Sequence, residues 1–453
     1  MAKRRKSLAD QVPTEIFWSI FNKLSFIDLI QAKAVCSFWN LAAEEFVSKM
    51  PWLMLPSKKE VEEGDGAFVN NNGYNGFFNL CENRVYNLKT TPMEFRESCC
   101  IGSSNGWLVF LEHKAVPFLF NPFKQIKIHL PSVDYLLGLK KMERNEDGEY
   151  ELDYLKKNQR FFFKVCGKQQ VRECFIQKAI LSGKPDCNEN FSVVLLCNNR
   201  EEIAYHQRGY NSWTVIDVSH PPYRDIICHK NQLYALSDNN SIEVWDLGGR
   251  DYVGRIVNTS DIVLPFPDKS HTKGNSLRGF GTSKFYLVES CDDLLLIVRF
   301  IGDYVDFDGT LLTEWDLLTE TCTQPKICPY RTCFFHVYKL DFDELKWVEV
   351  ESLNDRALFL GGNQSVSVSV QSFPNCETNS IYFTDDCWEK MEEDYNYGGH
   401  DMGIYNIKDE SFKPIYEFSS DKIQPPPCWI IPSAMLESQL GQCVASLPGY
   451  KFL

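Results

Sequence analysis

Several short stretches of this chain bring together residue types from which reactive centres are built. Gly102-Ser103-Ser104-Asn105-Gly106 fits G-x-S-x-G, the hydrolase elbow that raises a serine on a strand-to-helix turn. Trp107-Leu108-Val109-Phe110-Leu111 follows, however, and reads as a strand, so the glycines are expected to shape a tight turn between two repeat units. Cys322, Cys328, Cys333 and His336 offer four soft ligands. Structural zinc favours closer cysteine pairs, and alternation along the strand from Phe334 to Leu340 would send Cys333 and His336 to opposite faces, which predicts loop thiols. Cys99-Cys100 reads as a strand entry rather than a redox pair. Asp385-Asp386, Glu389 and Glu392-Glu393-Asp394 lack the spacing of a calcium loop. They are expected to form an exposed acidic loop able to touch a basic substrate. No phosphate loop, kinase set or dinucleotide fingerprint occurs. The expectation is no catalytic residue, no metal site and no cofactor.

The elements that position these residues are mostly strands. From about residue 74 onward, short apolar or alternating runs rich in aromatic and β-branched residues are separated by Gly, Asn, Asp and Pro. Examples are Phe191–Leu196, Gln232–Leu236, Leu294–Val298 and Ser380–Phe383. Many end in a small polar tag before the next strand: Leu119-Phe120-Asn121-Pro122, Val244-Trp245-Asp246-Leu247, Val337–Asp341 and Gly403–Ile407. Such self-similarity suits four-stranded blades repeating every ~40–50 residues, which gives a β-propeller of about six to eight blades. A pair of β-sandwiches or two barrels is the alternative. The charged stretch 139–164 fits the repeat poorly and reads as an insertion.

The N-terminus has a different period. Pro13 suits a helix start, and Ile16, Phe17, Ile20, Phe21 and Leu24 follow helical steps. Ser25 with Asp28 is a capping-box-like start for a second helix. Trp39, Ala42, Ala43 and Phe46 form one face of a third. A segment this short has more apolar surface than it can cover alone, so it is either a docking module or a cap on the larger domain.

Taken in order, Val12-Pro13-Thr14-Glu15-Ile16, Ile27-Asp28-Leu29 and Val35-Cys36-Ser37-Phe38-Trp39 make the segment resemble an F-box. Val12 replaces the usual leucine, and Phe38 stands where a small or polar residue is common. The resemblance implies docking on a Skp-type adaptor and, through it, on cullin and RING subunits of an SCF ubiquitin ligase. Pro13, Ile16, Ile20, Leu24, Leu29, Val35 and Trp39 would form the F-box core and adaptor contact. Gly102–Leu108, Trp347–Leu353, Arg356–Gly361, Asn379–Asp386 and Pro426-Pro427-Cys428-Trp429 are similar to plant proteins that place an F-box before a kelch-like β-propeller.

The expected organisation is a small all-α F-box at 7–50, a linker at 51–70, an all-β propeller domain at 71–440 and a tail at 441–453. The implied role is a non-catalytic substrate receptor whose propeller loops bind an unknown client protein. Trp213, Trp245, Trp315 and Trp388 are candidates for client contact, since tryptophan is enriched at binding hot spots. An interaction scaffold without client turnover and a propeller hydrolase with an incidental helical cap are the other readings. A net charge of −14 argues against a nucleic-acid surface. No run approaches the ~18 apolar residues of a membrane span. Seventeen scattered cysteines and no secretory signal fit the nucleus or cytoplasm, with Lys3-Arg4-Arg5-Lys6 as a short basic run.

Overall fold

Three helices come first: α1 (Thr14–Phe21), α2 (Phe26–Ala32) and α3 (Ser37–Val47). The computed structural model describes residues 13–21, 23–47, 50–56, 74–87, 98–112, 116–133, 136, 139–144, 150–156, 159–165, 175–185, 191–216, 222–247, 255–257, 278–304, 330–373, 376–387, 398–418, 422–423 and 425–432. Pro13 stands just before α1, its carbonyl accepting from the Ile16 amide at 3.1 Å. Ser25 caps α2 as its sequence requires, its Oγ accepting from the Asp28 amide at 3.2 Å.

Strands take over at once. Blade 1 holds β1 (Trp52–Pro56), β2 (Tyr74–Asn79) and β3 (Arg84–Asn87). Blade 2 is β4 (Cys99–Ser104), β5 (Trp107–Leu111), β6 (Pro117–Asn121) and β7 (Ile126–His129). A separate three-stranded sheet follows, β8 (Leu139–Arg144), β9 (Tyr150–Lys156) and β10 (Gln159–Val165). It occupies the stretch that fits the repeat poorly. Blade 3 is β11 (Ile176–Ser182), β12 (Ser192–Cys197), β13 (Glu202–Gln207) and β14 (Thr214–Ile216). Blade 4 is β15 (Tyr223–His229), β16 (Gln232–Ser237), β17 (Ile242–Asp246) and β18 (Arg255–Val257). Blade 5 has the longest strands, β19 (Arg278–Ser290), β20 (Asp293–Tyr304) and β21 (Tyr330–Asp341), with β22 (Lys346–Glu349) outside them. Blade 6 is β23 (Arg356–Leu360), β24 (Ser365–Ser369), β25 (Ser380–Phe383), β26 (Gly403–Asn406) and β27 (Phe412–Lys413).

The last strand, β28 (Cys428–Ile430), returns to pair antiparallel with β1, Ile430 opposite Trp52. β28 is thereby the innermost strand of blade 1, so that strands from both ends of the propeller build one blade and close the ring of six. The stretch 51–70 is therefore not simply a linker: β1 is built into blade 1, and 57–70 lie outside the described residues. Blade 6 departs from a simple meander. Its order is β24-β23-β25-β26-β27, with β23 and β25 parallel.

The polar tags have a physical reason. Asn79, Asn121, Asp341 and Asn406 each accept a backbone amide two residues on, at 2.9 to 3.1 Å, closing the outer hairpins of blades 1, 2, 5 and 6.

Inner strands weld the ring at every junction. Ser103 Oγ donates to the Trp429 carbonyl at 3.0 Å, and Asn363 Nδ2 donates to both Ser103 Oγ and that carbonyl. Lys178 pairs with buried Asp225 at 2.5 Å, and Asp225 also accepts the Leu287 amide at 2.7 Å, linking blades 3, 4 and 5. Ser290 meets Ser367 at 2.9 Å. Between blades 2 and 3 the backbones nearly touch: a Cβ on Gly102 would lie 2.0 Å from the Ala179 carbonyl oxygen.

Gly102 thus sits inside a strand, at a close approach between blades, and not in a turn. The tight turn belongs to Asn105 and Gly106, with φ of 50° and 81°, and joins β4 to β5 within one blade. Ser104 ends β4 and is followed by β5 rather than by the helix an elbow needs.

Candidate functional site

The described carboxylates of the propeller's acidic run lie in its interior. Asp385 and Asp386 are buried rather than part of an exposed acidic loop; Glu389 to Asp394 lie outside the described residues. They face Arg299, whose guanidinium is fully buried. Arg299 donates to Asp386 at 3.0 Å, to Asp401 and its carbonyl at 2.9 Å, to the Thr384 carbonyl at 2.9 Å and to Thr332 at 2.8 Å. Its fork therefore ties blade 5 to blade 6 with every donor direction used. Burial, and then the nearby Asp401 charge, push the Asp385 carboxyl up to about 7 against the opposing pull of Arg299. The cluster is closed to a substrate, so it acts as a brace.

Trp213 and Trp245 do not reach a surface. Trp213 is 4% exposed and donates its Nε1 to the Pro131 carbonyl at 2.9 Å; Trp245 is 1% exposed in the core between blades 3 and 4. Each fills a core position that a bulky ring suits, so neither makes the client contact expected of it. Trp315, Trp388, Cys322 and Cys328 lie outside the described residues. His336 pairs with Glu349 at 2.7 Å. Among the described residues no group of three or more His, Cys, Asp or Glu side chains is placed to hold a metal ion.

The helical module is different. On α1, Phe17 and Phe21 point inward and meet Trp39 edge-on at 5.3 and 5.8 Å, with Phe38 5.0 Å from Phe17. On α2, Phe26, Leu29, Ile30 and Ala32 are buried. Phe26 enters the propeller, its ring 4.4 Å from Trp52 and 5.4 Å from Tyr86, which stack on each other. Glu82, in the β2–β3 turn, accepts the Phe26 amide at 2.7 Å, the Asn79 side-chain amide at 3.0 Å and the Tyr86 hydroxyl. An otherwise orphaned first-turn amide of α2 is thereby satisfied by a carboxylate from the propeller. The helices share one apolar core with blades 1 and 2, so the module is seated rather than tethered.

What this core leaves outside is informative. Pro13 is exposed, as are Ile16 at 50%, Ile20 at 37%, Val35 at 63% and Leu41 at 66%. Ile16 and Ile20 are four residues apart and share the outer face of α1. Leu24 and Trp39 are half-buried, and Leu29 is wholly core at 4% exposed. The seven residues expected to act together therefore divide: Leu29 holds the module, Pro13, Ile16, Ile20 and Val35 face outward, and Leu24 and Trp39 lie between. Leu41 was not expected. Its signal was an apolar residue in α3 off the face set by Trp39, Ala42, Ala43 and Phe46. Covering four such side chains is worth on the order of 1 kcal/mol each.

Comparison with known proteins agrees with this architecture. A family model described as F-box-like matches residues 9–47, and one described as KIB1-4 beta-propeller matches residues 77–406. The Arabidopsis thaliana F-box protein SKIP23 is 25% identical over 441 residues, covering 92% of this chain and 94% of the relative. The F-box/kelch-repeat protein KIB1 of the same plant is 23% identical over 415 residues, covering 89% and 82%.

Proposed function

We propose, from the premise that this chain belongs to the plant F-box proteins with a KIB1-4 beta-propeller, that it is the substrate-recognition subunit of an SCF-type ubiquitin ligase. The exposed side chains Pro13, Ile16, Ile20, Val35 and Leu41 dock a Skp-type adaptor, which connects to cullin and RING subunits. The propeller presents a client protein. Its own contribution is proximity: the client is held near the charged ubiquitin carrier, and transfer chemistry belongs to other subunits. The protein itself is non-catalytic in this reading and works in the nucleus or cytoplasm.

The observation that carries the reading is the outward face of α1. Ile16 and Ile20 stay exposed although a continuous apolar core lies directly behind them. A helical cap serving only the propeller would have little use for apolar residues on its far side. Proximity labelling with the full chain and with the Ile16→Asp/Ile20→Asp variant tests the role. A receptor's clients accumulate around the variant, which cannot deliver them. Equal labelling and equal client half-lives for both chains would instead favour a scaffold.

A further inference from the structure

Where blade 2 meets blade 3 at the perimeter, the chain leaving β7 and the β13–β14 turn border an open groove of about 430 Å³. Its floor is apolar, made by buried Leu130 and Phe191. Its rim carries His129, Arg208 and Tyr210, all exposed, Tyr210 at 65%. His206, 5% exposed, lines the inner wall with Nδ1 3.3 Å from the Ser212 carbonyl oxygen. A ring nitrogen facing a carbonyl carries the proton, and burial lowers this histidine's affinity for a second one.

The charge of this groove runs against that of the chain. The protein carries a net −14, yet among the described residues lining the groove there is no Asp or Glu, while Arg208, His129 and His206 are basic. Several surface cations elsewhere are matched by carboxylates: Lys127 with Glu112, Lys339 with Asp293, Lys413 with Glu377 and Arg224 with Asp238. Arg208 leans over the Phe191 ring at 5.8 Å and takes no carboxylate among the described residues. A planar guanidinium beside an aromatic floor suits a carboxylate next to a bulky apolar group.

We propose that this groove binds a carboxylate-bearing peptide segment of the client, with an acidic side chain on Arg208 and a neighbouring apolar side chain on the Leu130–Phe191 floor. The inference rests on the receptor reading and adds the chemistry of what is received. Tyr210 closes over the peptide from the rim, and His129 adds a second donor.

The test is fluorescence anisotropy of the full chain with a short labelled peptide alternating glutamate with leucine and phenylalanine, beside its glutamine and lysine counterparts. The glutamate peptide binds about tenfold tighter than the glutamine one, and Arg208→Glu removes that preference. Tyr210→Ala weakens it severalfold. The proposal is overturned if glutamate and glutamine peptides bind alike, or if Arg208→Glu binds the glutamate peptide as the parent does. Adaptor capture is measured on the same samples and is unchanged in Arg208→Glu. A parent chain that prefers glutamate but captures no adaptor supports the groove and refutes the ligase reading alone.

Discussion

Replacing Glu82 by alanine should loosen the helical module without unfolding the propeller. Glu82 accepts three hydrogen bonds, but only the one from the Phe26 amide, at 2.7 Å, crosses to the helices. The other two, from Asn79 and Tyr86, hold the carboxylate in position. A charge-assisted hydrogen bond contributes roughly 1.5–3 kcal/mol, and leaving a buried amide unpaired costs a similar amount. Because the contact is only part-buried, about 2 kcal/mol is the appropriate figure, which corresponds to about 30-fold in local opening. Hydrogen exchange followed by mass spectrometry reads this directly: α2 amides exchange about 30-fold faster in Glu82→Ala, while peptides from blades 3 to 5 keep their parent rates. Glu82→Gln retains an acceptor and falls between. Unchanged α2 exchange in Glu82→Ala would refute the claim that the propeller clamps this helix.

Three further outcomes follow from the ring. Arg299→Met leaves Asp385, Asp386 and Asp401 buried without their cation, at a cost of about 3–5 kcal/mol seen as a lower urea midpoint. Asp385 has a folded value near 7, raised from 3.8 mainly by burial. Its contribution is therefore full at acid pH and is lost as pH rises through about 7. Asp385→Asn should flatten the decline of the urea midpoint between pH 5 and pH 8 relative to the parent. Gly102→Ala forces blades 2 and 3 apart and should cost more than about 3 kcal/mol. Gly209→Ala, where φ is +94° but nothing lies within 4 Å, should cost only about 1 kcal/mol, as thermal denaturation of the two variants will show.

Features set by neighbours in the chain were legible in advance. The Ser25 cap, the three helices and strands such as β12, β16 and β25 depend on local spacing and side-chain shape. The polar tags Asn121, Asp341 and Asn406 are side-chain caps of outer hairpins, a short-range device. The six to eight expected blades resolve to six. Partners distant in the chain were not legible. Nothing near Asp385 and Asp386 announces Arg299, more than eighty residues earlier, so two adjacent carboxylates read as solvated. Trp213 and Trp245 looked like hot-spot residues because residue type does not reveal depth. The parallel pair in blade 6 arises because β24 turns inward before β25 forms, and strand patterning is blind to that order. In the F-box, sequence grouped seven residues that burial then separated, Leu29 inward and Ile16 and Ile20 outward.

The central claim is that the outer face of α1 is an adaptor-docking surface. Calorimetric titration of the full chain with a plant Skp-type adaptor tests it, comparing the parent, Ile16→Asp/Ile20→Asp and, as an exposed apolar control on blade 5, Val348→Asp. The account predicts binding weakened about 100-fold or more in the double variant, since two carboxylates would be buried against apolar surface, with Val348→Asp unchanged. Parent-like affinity in the double variant, with its helices intact by circular dichroism, would contradict it.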